Sequence, residues 1–277
     1  MPAVILPNSD AWVIDSAHTG ARYRVTLSLP LLPTDAPVPL LVVLDGDTMF
    51  FSATEFIRTT NVVTMGTMPS MAVVGVTREE PDHLAYFSSR FSDFTPTEWR
   101  LHGPFEADNG MVRHGTGGAD AFLAVLTDQL LPSVGERVQV DTDAVGICGW
   151  SLSGLFAAYA WRRRPDAFSR LLAISPSLWW GDEVLLAQPV SARPPGHRAV
   201  VCAGSREEGD IDLVWPVMFA DGPQREMAAM VRNAERFGAM CAESGAATLT
   251  FVADHEHHVT MQSAALARGL VHLFAGR

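Results

Sequence analysis

Lysine is absent from this chain of 277 residues, because all 20 of its basic residues are arginine. Without lysine, the sequence excludes Schiff-base catalysis, a lysine-activated serine and the phosphate-binding lysine of a P-loop. The 31 acidic residues outnumber the arginines and leave a net charge of −11. An acidic chain without a basic cluster is a poor match for nucleic acid or an anionic membrane surface. The chemistry must therefore use serine, histidine, cysteine, arginine or the carboxylates.

Cysteine is scarce as well, and the three that occur are isolated in apolar stretches. They form neither a CxxC zinc motif nor a disulfide framework, so a reducing compartment is expected. No uninterrupted apolar run reaches the roughly 18 residues of a membrane span, and the first residues lack a signal-peptide pattern. The sequence therefore predicts a soluble, cytoplasmic protein, with no metal and no membrane partner.

The order of apolar patterns predicts a single α/β domain over residues 1–277. Strand patterns alternate with helix patterns along most of the chain, which is typical of a mainly parallel sheet with helices on both faces. Residues 22–29 instead alternate apolar and polar side chains, like a half-exposed antiparallel strand. Further strands are predicted at 39–44, 71–76, 144–148, 171–174, 199–203 and 247–252, and helices at 117–131, 223–243, 262–274 and after residue 151.

The strand at 144–148 leads into Gly149-Trp150-Ser151-Leu152-Ser153-Gly154. A nucleophile elbow turns sharply from strand to helix and needs small residues around its serine, because the two backbones approach closely. Ser151 has a glycine two residues before it and a serine two after it, whereas the rival Ser153 is followed at that distance by the bulky Leu155. The pattern favours a nucleophilic role for Ser151. The alternative is a glycine- and serine-rich turn that has no catalytic role.

A serine nucleophile needs a base, which in this chain order follows the acid. Residues 254–258 (Asp-His-Glu-His-His) follow the last predicted strand, and their spacing alone does not choose among the three histidines. Contiguous loop residues rarely converge on one metal ion, so we favour a base over a metal site here. The acid is expected after the strand at 199–203, where Glu207, Glu208 and Asp210 are all candidates.

The oxyanion of an acyl-transfer intermediate needs backbone N–H donors, usually two. One is expected from Leu152, the residue after the nucleophile. The other is expected from Gly46 or Asp47, in the turn that ends the strand at 39–44.

Three further residues are candidates for substrate contacts. Trp150 and Trp179 suit the wall of an acyl or aromatic pocket, and Arg90 suits an acidic group of the substrate. For Arg90 we favour a structural ion pair with Asp93, three residues further along the chain.

These residues lie in stretches that resemble the putative-esterase family of the α/β-hydrolases. Residues 40–50 (LLVVLDGDTMF) are similar to the family's strand followed by D-G-x-x-x-F, and residues 90–96 to its R-x-x-D-[FY]-T-P segment. The elbow, the helix after it and residues 174–180 (ISPSLWW) resemble the enterochelin (ferric enterobactin) esterase-like members. Those usually carry G-H-S-L-G-G-L-F, where this chain has Trp150 and Ser153. The family also includes S-formylglutathione hydrolases, feruloyl esterases and mycolyltransferases.

The resemblance implies an α/β-hydrolase fold and a serine esterase that cleaves a small-molecule ester, of siderophore type or another, without a cofactor. The family pattern E-x-H-x-[ST]-V matches residues 256–261, which implies His258 as the base. Its V-G-x-x-E pattern is similar to residues 203–207, which implies Glu207 as the acid. Two alternatives stay open, namely an acyltransferase that uses the same residues and a non-catalytic binding protein of the same fold. A homo-oligomer is also compatible with the sequence.

Overall fold

One sheet of eight strands organises the computed structural model, which describes residues 6–32, 34–99, 112, 114–208 and 229–276. The strands are β1 (Ser9–Asp15), β2 (Arg22–Ser28), β3 (Val38–Leu44), β4 (Ala72–Arg78), β5 (Val140–Trp150), β6 (Arg170–Ile174), β7 (Arg198–Gly204) and β8 (Ala247–Ala253). The helices of the described residues are α1 (Gly46–Val63), α2 (His83–Asp93), α3 (Ala119–Ala124), α4 (Leu131–Gly135), α5 (Leu152–Arg163), α6 (Trp180–Glu183), α7 (Met230–Glu243) and α8 (Met261–Phe274).

The strands lie in the order β1-β2-β4-β3-β5-β6-β7-β8. β2 pairs antiparallel with both β1 and β4, whereas every pair from β4 to β8 is parallel. This arrangement confirms the predicted α/β-hydrolase fold with its antiparallel N-terminal region. Because the ends of parallel strands meet at one edge, the loops after β3, β5, β6, β7 and β8 gather at the same edge of the sheet.

The core lies on both faces of the sheet, and β3 shows why its sequence is a continuous apolar run. All seven residues of β3 are buried. Leu40, Val42 and Leu44 belong to a core shared with α2, α3, α5 and α7, whereas Leu41 and Val43 belong to a core shared with α1 and α8. Successive side chains of a strand point to opposite faces, so a strand covered on both sides has no polar position.

Several helices differ from the sequence prediction. The pattern at 117–131 corresponds to α3 and α4 joined through a π-helical stretch at Val125–Leu130. α7 is described from Met230 onward, and residues 223–228 of the predicted helix lie outside the described residues. α1 and α2 were not predicted. The assignment of residues 1–277 to a single domain stays a prediction.

Within the described ranges, no helix combines the length and the apolar character that crossing a bilayer requires.

Candidate active site

Ser151 lies in a sharp turn between β5 and α5, as the elbow pattern predicts. Its backbone has φ 61° and ψ −120°, a conformation that few non-glycine residues adopt. A side chain on Gly149 would come within 2.1 Å of the Ser153 carbonyl oxygen, so this position requires glycine. The Ser151 hydroxyl is half-buried and lies 3.5 Å from the Ser177 hydroxyl. The strained turn therefore presents Ser151 at the edge where the strand ends gather.

The structure brings His258 and Glu207 into direct contact at this edge. His258 Nδ1 lies 2.6 Å from Glu207 Oε2, and both side chains are buried. The other carboxylate oxygen, Oε1, accepts hydrogen bonds from the Ser175 hydroxyl (2.6 Å) and the Gly204 N–H (2.7 Å). The carboxylate is thus held by fixed donors on one oxygen and offers the other to the imidazole.

The loops that carry these two residues are bonded to each other. The Arg206 N–H donates to the Glu256 carbonyl oxygen (3.1 Å), and the His255 N–H donates to the Ser205 hydroxyl (2.9 Å). A side chain on Gly204 would come within 2.3 Å of the same Glu256 oxygen. Glycine at the end of β7 therefore permits the close approach that places Glu207 against His258.

The remaining candidates for acid and base lie elsewhere. Glu208 accepts hydrogen bonds from the Val231 and Arg232 N–H groups (2.9 and 3.2 Å) and so caps the first turn of α7. The His255 side chain is 80% exposed and pairs with Asp254. Asp210 lies outside the described residues. Among the described histidines and carboxylates, no three side chains converge as metal ligands would.

The candidate oxyanion turn follows β3 and begins α1. Asp45 has a left-handed backbone (φ 49°, ψ 50°), and Gly46 is the first residue of the helix. The Asp47 N–H donates to the Thr77 hydroxyl (3.1 Å), which occupies one of the two predicted donors. Leu152 is likewise the first residue of α5, and the first N–H groups of a helix have no partner within it. Gly46 and Leu152 thus each begin a helix, and their role as oxyanion donors stays a prediction.

A buried ion pair between Arg90 and Asp45 holds the oxyanion turn in place. Arg90 of α2 forms a bidentate pair with Asp45, with Nε and Nη2 at 2.9 and 2.8 Å from the two carboxylate oxygens. The Tyr86 hydroxyl also donates to Asp45. Burial opposes the charge of the Arg90 guanidinium, but the Asp45 carboxylate and Tyr86 together outweigh it and raise the pKa of Arg90. Arg90 is only 7% exposed and is engaged inside the protein rather than by substrate.

The predicted pairing of Arg90 with Asp93 is wrong. Although three residues separate them on one helix, Asp93 receives hydrogen bonds from Arg78 Nη1 (2.9 Å) and the Tyr23 hydroxyl (3.0 Å), on β4 and β2. Burial raises the pKa of Asp93 to about 6, although Arg78 and Tyr23 act in the opposite direction. Each buried charge of α2 is thus matched by a different strand end, which a reading of local spacing does not reveal.

The two tryptophans proposed for substrate contact occupy different surroundings. Trp179 is 5% exposed and packs against Trp99 and Trp180, with ring centroids at 5.9 and 6.1 Å. Trp150 lies against His258, with ring centroids 4.8 Å apart. This contact places the imidazole beside the elbow that carries Ser151.

The sequence reasoning missed Ser175 and Ser177, which follow β6 next to the elbow. Ser175 holds Glu207, and the Ser177 N–H donates to the Ser151 carbonyl oxygen (3.0 Å). Their signal was the segment Ser-Pro-Ser directly after a buried strand, at the edge where a neighbouring strand delivers the nucleophile.

Comparison with known proteins places the chain in a family. The profile of the family described as "Putative esterase" matches residues 16–240, a range that includes Ser151 and Glu207 and ends before His258. The chain is 29% identical over 188 residues to the ferri-bacillibactin esterase BesA of Bacillus subtilis, an alignment that covers 66% of this chain and 63% of that protein. The chain thus spans less than two thirds of that relative.

A second relative aligns over nearly its whole length. The siderophore triacetylfusarinine C esterase of Aspergillus fumigatus is 26% identical over 289 residues, which cover 98% of this chain and 94% of that protein. Among solved structures, the BES protein from Bacillus cereus is similar, with a TM-score of 0.76 and 22% identity over 100% of this chain and 98% of that one. At this identity the structural likeness concerns the fold alone.

Proposed function

The chain belongs to the putative esterase family, and from this membership we propose that it is a carboxylic ester hydrolase with Ser151, His258 and Glu207 as nucleophile, base and acid. The observation that carries the proposal is the buried contact of 2.6 Å between His258 Nδ1 and Glu207 Oε2, beside the strained Ser151 turn. The curated relatives described above are named esterases, which agrees with the predicted reaction class.

The tautomer of His258 determines which of its two ring nitrogens can act as the base. An ionised Glu207 accepts the Nδ1 proton of His258, so the tautomer has an unprotonated Nε2 that can act as the base. As the Ser151 oxygen bonds to the ester carbonyl carbon, its proton moves to Nε2. The carbon–oxygen bond to the alcohol then breaks, and Nε2 returns the proton to the leaving oxygen. Water repeats the two steps on the acyl-enzyme and releases the acid, so no cofactor is needed.

The proposed oxyanion site combines the first amides of two helices. The N–H groups of Leu152 and Gly46 begin α5 and α1, and the partial positive charge of a helix N-terminus favours an oxyanion. The turns that carry these donors are held by the Asp45–Arg90 pair and by the hydrogen bond from the Ser177 N–H to the Ser151 carbonyl oxygen, which limits their rearrangement as the charge develops. Preorganised donors of this kind commonly supply a factor of about 10² to 10³ in rate.

A siderophore-type ester is the substrate class that we propose. A cleft of about 930 Å³ opens on the β2–β4 side of the oxyanion turn, and Asp47, Thr48 and Tyr86 lie in its lining. Small-molecule sites commonly measure about 300 to 1,000 Å³, so this cleft suits a large ligand. Its walls carry arginine, histidine and threonine side chains together with four carboxylates, three of which pair with the arginines, so the lining offers both donors and acceptors to a polar ligand. The relatives named above act on siderophore esters by their names, which favours the same class here.

A fluorophosphonate probe and an ester panel test the proposal. We expect the probe to label wild type on Ser151, as mapped by mass spectrometry, and not to label Ser151→Ala. Ser133→Ala, a serine in α4, is the matched control and should be labelled like wild type. In the panel, ferric complexes of a tricatecholate triester and a trihydroxamate triester should be cleaved with a higher kcat/KM than p-nitrophenyl butyrate.

Other results of the labelling and of the ester panel would each favour a different function or substrate. Wild type that stays unlabelled, under conditions where a known esterase reacts, would favour a non-catalytic binding protein. Transfer of the acyl group to an added alcohol in preference to water would favour an acyltransferase. Faster cleavage of the p-nitrophenyl ester than of both triesters would refute the substrate class while leaving the serine chemistry intact.

A further inference from the structure

The two elbow positions that depart from the enterochelin esterase-like pattern are bonded to each other. Ser153 is buried, and its hydroxyl oxygen accepts the Trp150 N–H (2.9 Å) and donates to the Trp150 carbonyl oxygen (2.8 Å). One hydroxyl thus holds both backbone polar groups of the residue before the nucleophile. Glycine at position 153 has no side chain and could make neither bond.

The side chain of Trp150 continues this connection to the base. Its indole Nε1–H donates to the His258 carbonyl oxygen (2.8 Å), across 108 residues of sequence. The same ring lies on the imidazole, with centroids 4.8 Å apart and planes inclined by 38°. Trp150 therefore fixes both the backbone of His258 and one face of its ring.

We infer that Trp150 and Ser153 form one positioning unit that holds His258 in register with Ser151. The inference rests on the proposed function, because it assigns these residues to the base of that reaction. Glu207 binds one edge of the imidazole and Trp150 covers a face, so the ring retains little freedom to turn. An indole face also attracts a cation, and His258 becomes cationic when it takes the Ser151 proton. Trp150 is thereby a positioning residue rather than part of the substrate cleft.

Trp150→Phe tests the unit, because phenylalanine retains an aromatic face and loses the N–H donor. We expect kcat for p-nitrophenyl butyrate to fall about tenfold, the usual worth of one hydrogen bond, while KM changes less than about twofold. The rate of fluorophosphonate labelling should fall by the same factor. The small ester and the small probe do not need the large cleft, so their response separates positioning of the base from loss of a pocket wall. Rates are expressed per active site, counted from the labelled fraction at completion.

Ser153→Gly provides the second variant and tests the coupling. It restores the glycine of the related pattern, and we expect a smaller loss of kcat, about threefold to tenfold. The double variant should lose no more than about Trp150→Phe alone, because both changes act through one contact with His258. Trp12→Phe is the control for the ring exchange, since Trp12 lies on the edge strand β1 against Arg137 and should leave kcat unchanged.

Three results would overturn the inference. Wild-type kcat per active site in Trp150→Phe, with or without a lower melting temperature, would show that the indole bond is merely structural. A rise in KM confined to large siderophore esters would show that Trp150 contacts the substrate instead of positioning the base. Losses that multiply in the double variant would show that Trp150 and Ser153 act independently. Failure of the proposed function is distinguishable, because wild type itself would then remain unlabelled.

Discussion

Two buried carboxylates hold the two halves of the candidate site, and they differ in the partner that each one binds. Glu207 contacts His258, a side chain that is charged only when it is protonated. Asp45 contacts Arg90, whose charge is permanent, and accepts the Tyr86 hydroxyl as well. Both carboxylates follow the C-terminal end of a parallel strand, β7 in one case and β3 in the other.

The difference in partner separates a role in the reaction from a role in the structure. A bond between Glu207 and His258 strengthens when the imidazole takes a proton, so its effect is largest in the transition state. The pair of Asp45 and Arg90 has the same charges before, during and after the reaction. It therefore contributes mainly to the position of the oxyanion turn and to the stability of the fold. Substitutions on the two sides should consequently differ in what they change.

The largest expected effect is that of His258→Ala. Without a base, the Ser151 hydroxyl keeps its proton, and we expect kcat to fall by about 10⁴-fold or more. His255→Ala is the matched control, since that side chain is exposed and pairs with Asp254. Steady-state kinetics on a p-nitrophenyl ester would measure both. Full activity in His258→Ala, combined with a loss of activity in His255→Ala, would identify the exposed His255 as the base.

The comparison of the two carboxylates can be tested directly with isosteric amides. Glu207→Gln should lower kcat by about 10³-fold, because a neutral amide does not stabilise the imidazolium or fix its tautomer. Asp45→Asn should lower kcat only about tenfold, because weaker anchoring of the turn would shift the Gly46 amide from its position. Its larger effect should be on the free energy of unfolding, with a loss of about 3 kcal/mol, because Arg90 would keep a buried charge without a counter-charge.

The two variants are best read by kinetics and urea unfolding together. The comparison predicts a kinetic defect with little loss of stability for Glu207→Gln, and the reverse for Asp45→Asn. Equal effects of both variants on kcat would contradict the division of the site into a reacting half, with Glu207 and His258, and a supporting half, with Asp45 and Arg90.

The sequence predicted the half of the site that depends on chain order. The strands before Ser151 and Glu207 are apolar runs that a doubly covered sheet requires. The strand before His258 is different, because β8 is the last strand of the sheet, contains two threonines and buries only Phe251. The choice of His258 among three histidines depended on the family resemblance, because contiguous loop residues share the same local pattern. The contacts between Glu207 and His258 cross 51 residues, which no local spacing encodes.

The supporting half was harder to predict, for a physical reason. α2 buries Ser88, Ser89, Arg90 and Asp93, so its inner face is polar and the usual apolar stripe of a helix is interrupted. α1 contains many threonine, valine and phenylalanine residues, which are weaker helix formers, and it is stabilised by packing on β4 and α8. Arg90 reaches Asp45 across 45 residues, and this longer-range partner displaces the local pairing with Asp93.

The smallest expected effect on catalysis comes from Asp93→Asn, which sharpens the comparison within the supporting half. Burial raises the pKa of Asp93 to about 6 in the folded protein, above the ordinary value of 3.8. Between these values the folded state binds more protons than the unfolded state, so this group's contribution to stability is complete below pH 3.8 and is lost as pH rises towards 6. The total is at most about 3 kcal/mol.

Asparagine does not titrate, so wild type should lose stability relative to Asp93→Asn as pH rises from 4 to 7, with kcat nearly unchanged. Urea unfolding at several pH values measures the difference between the two proteins, and the exposed loop variant Asp35→Asn controls for the change in net charge. A difference that is constant across this range would mean that Arg78 and Tyr23 compensate the burial of Asp93 in full. In that case Asp93 would resemble Asp45, as a carboxylate that stays charged and supports the oxyanion side at every pH tested.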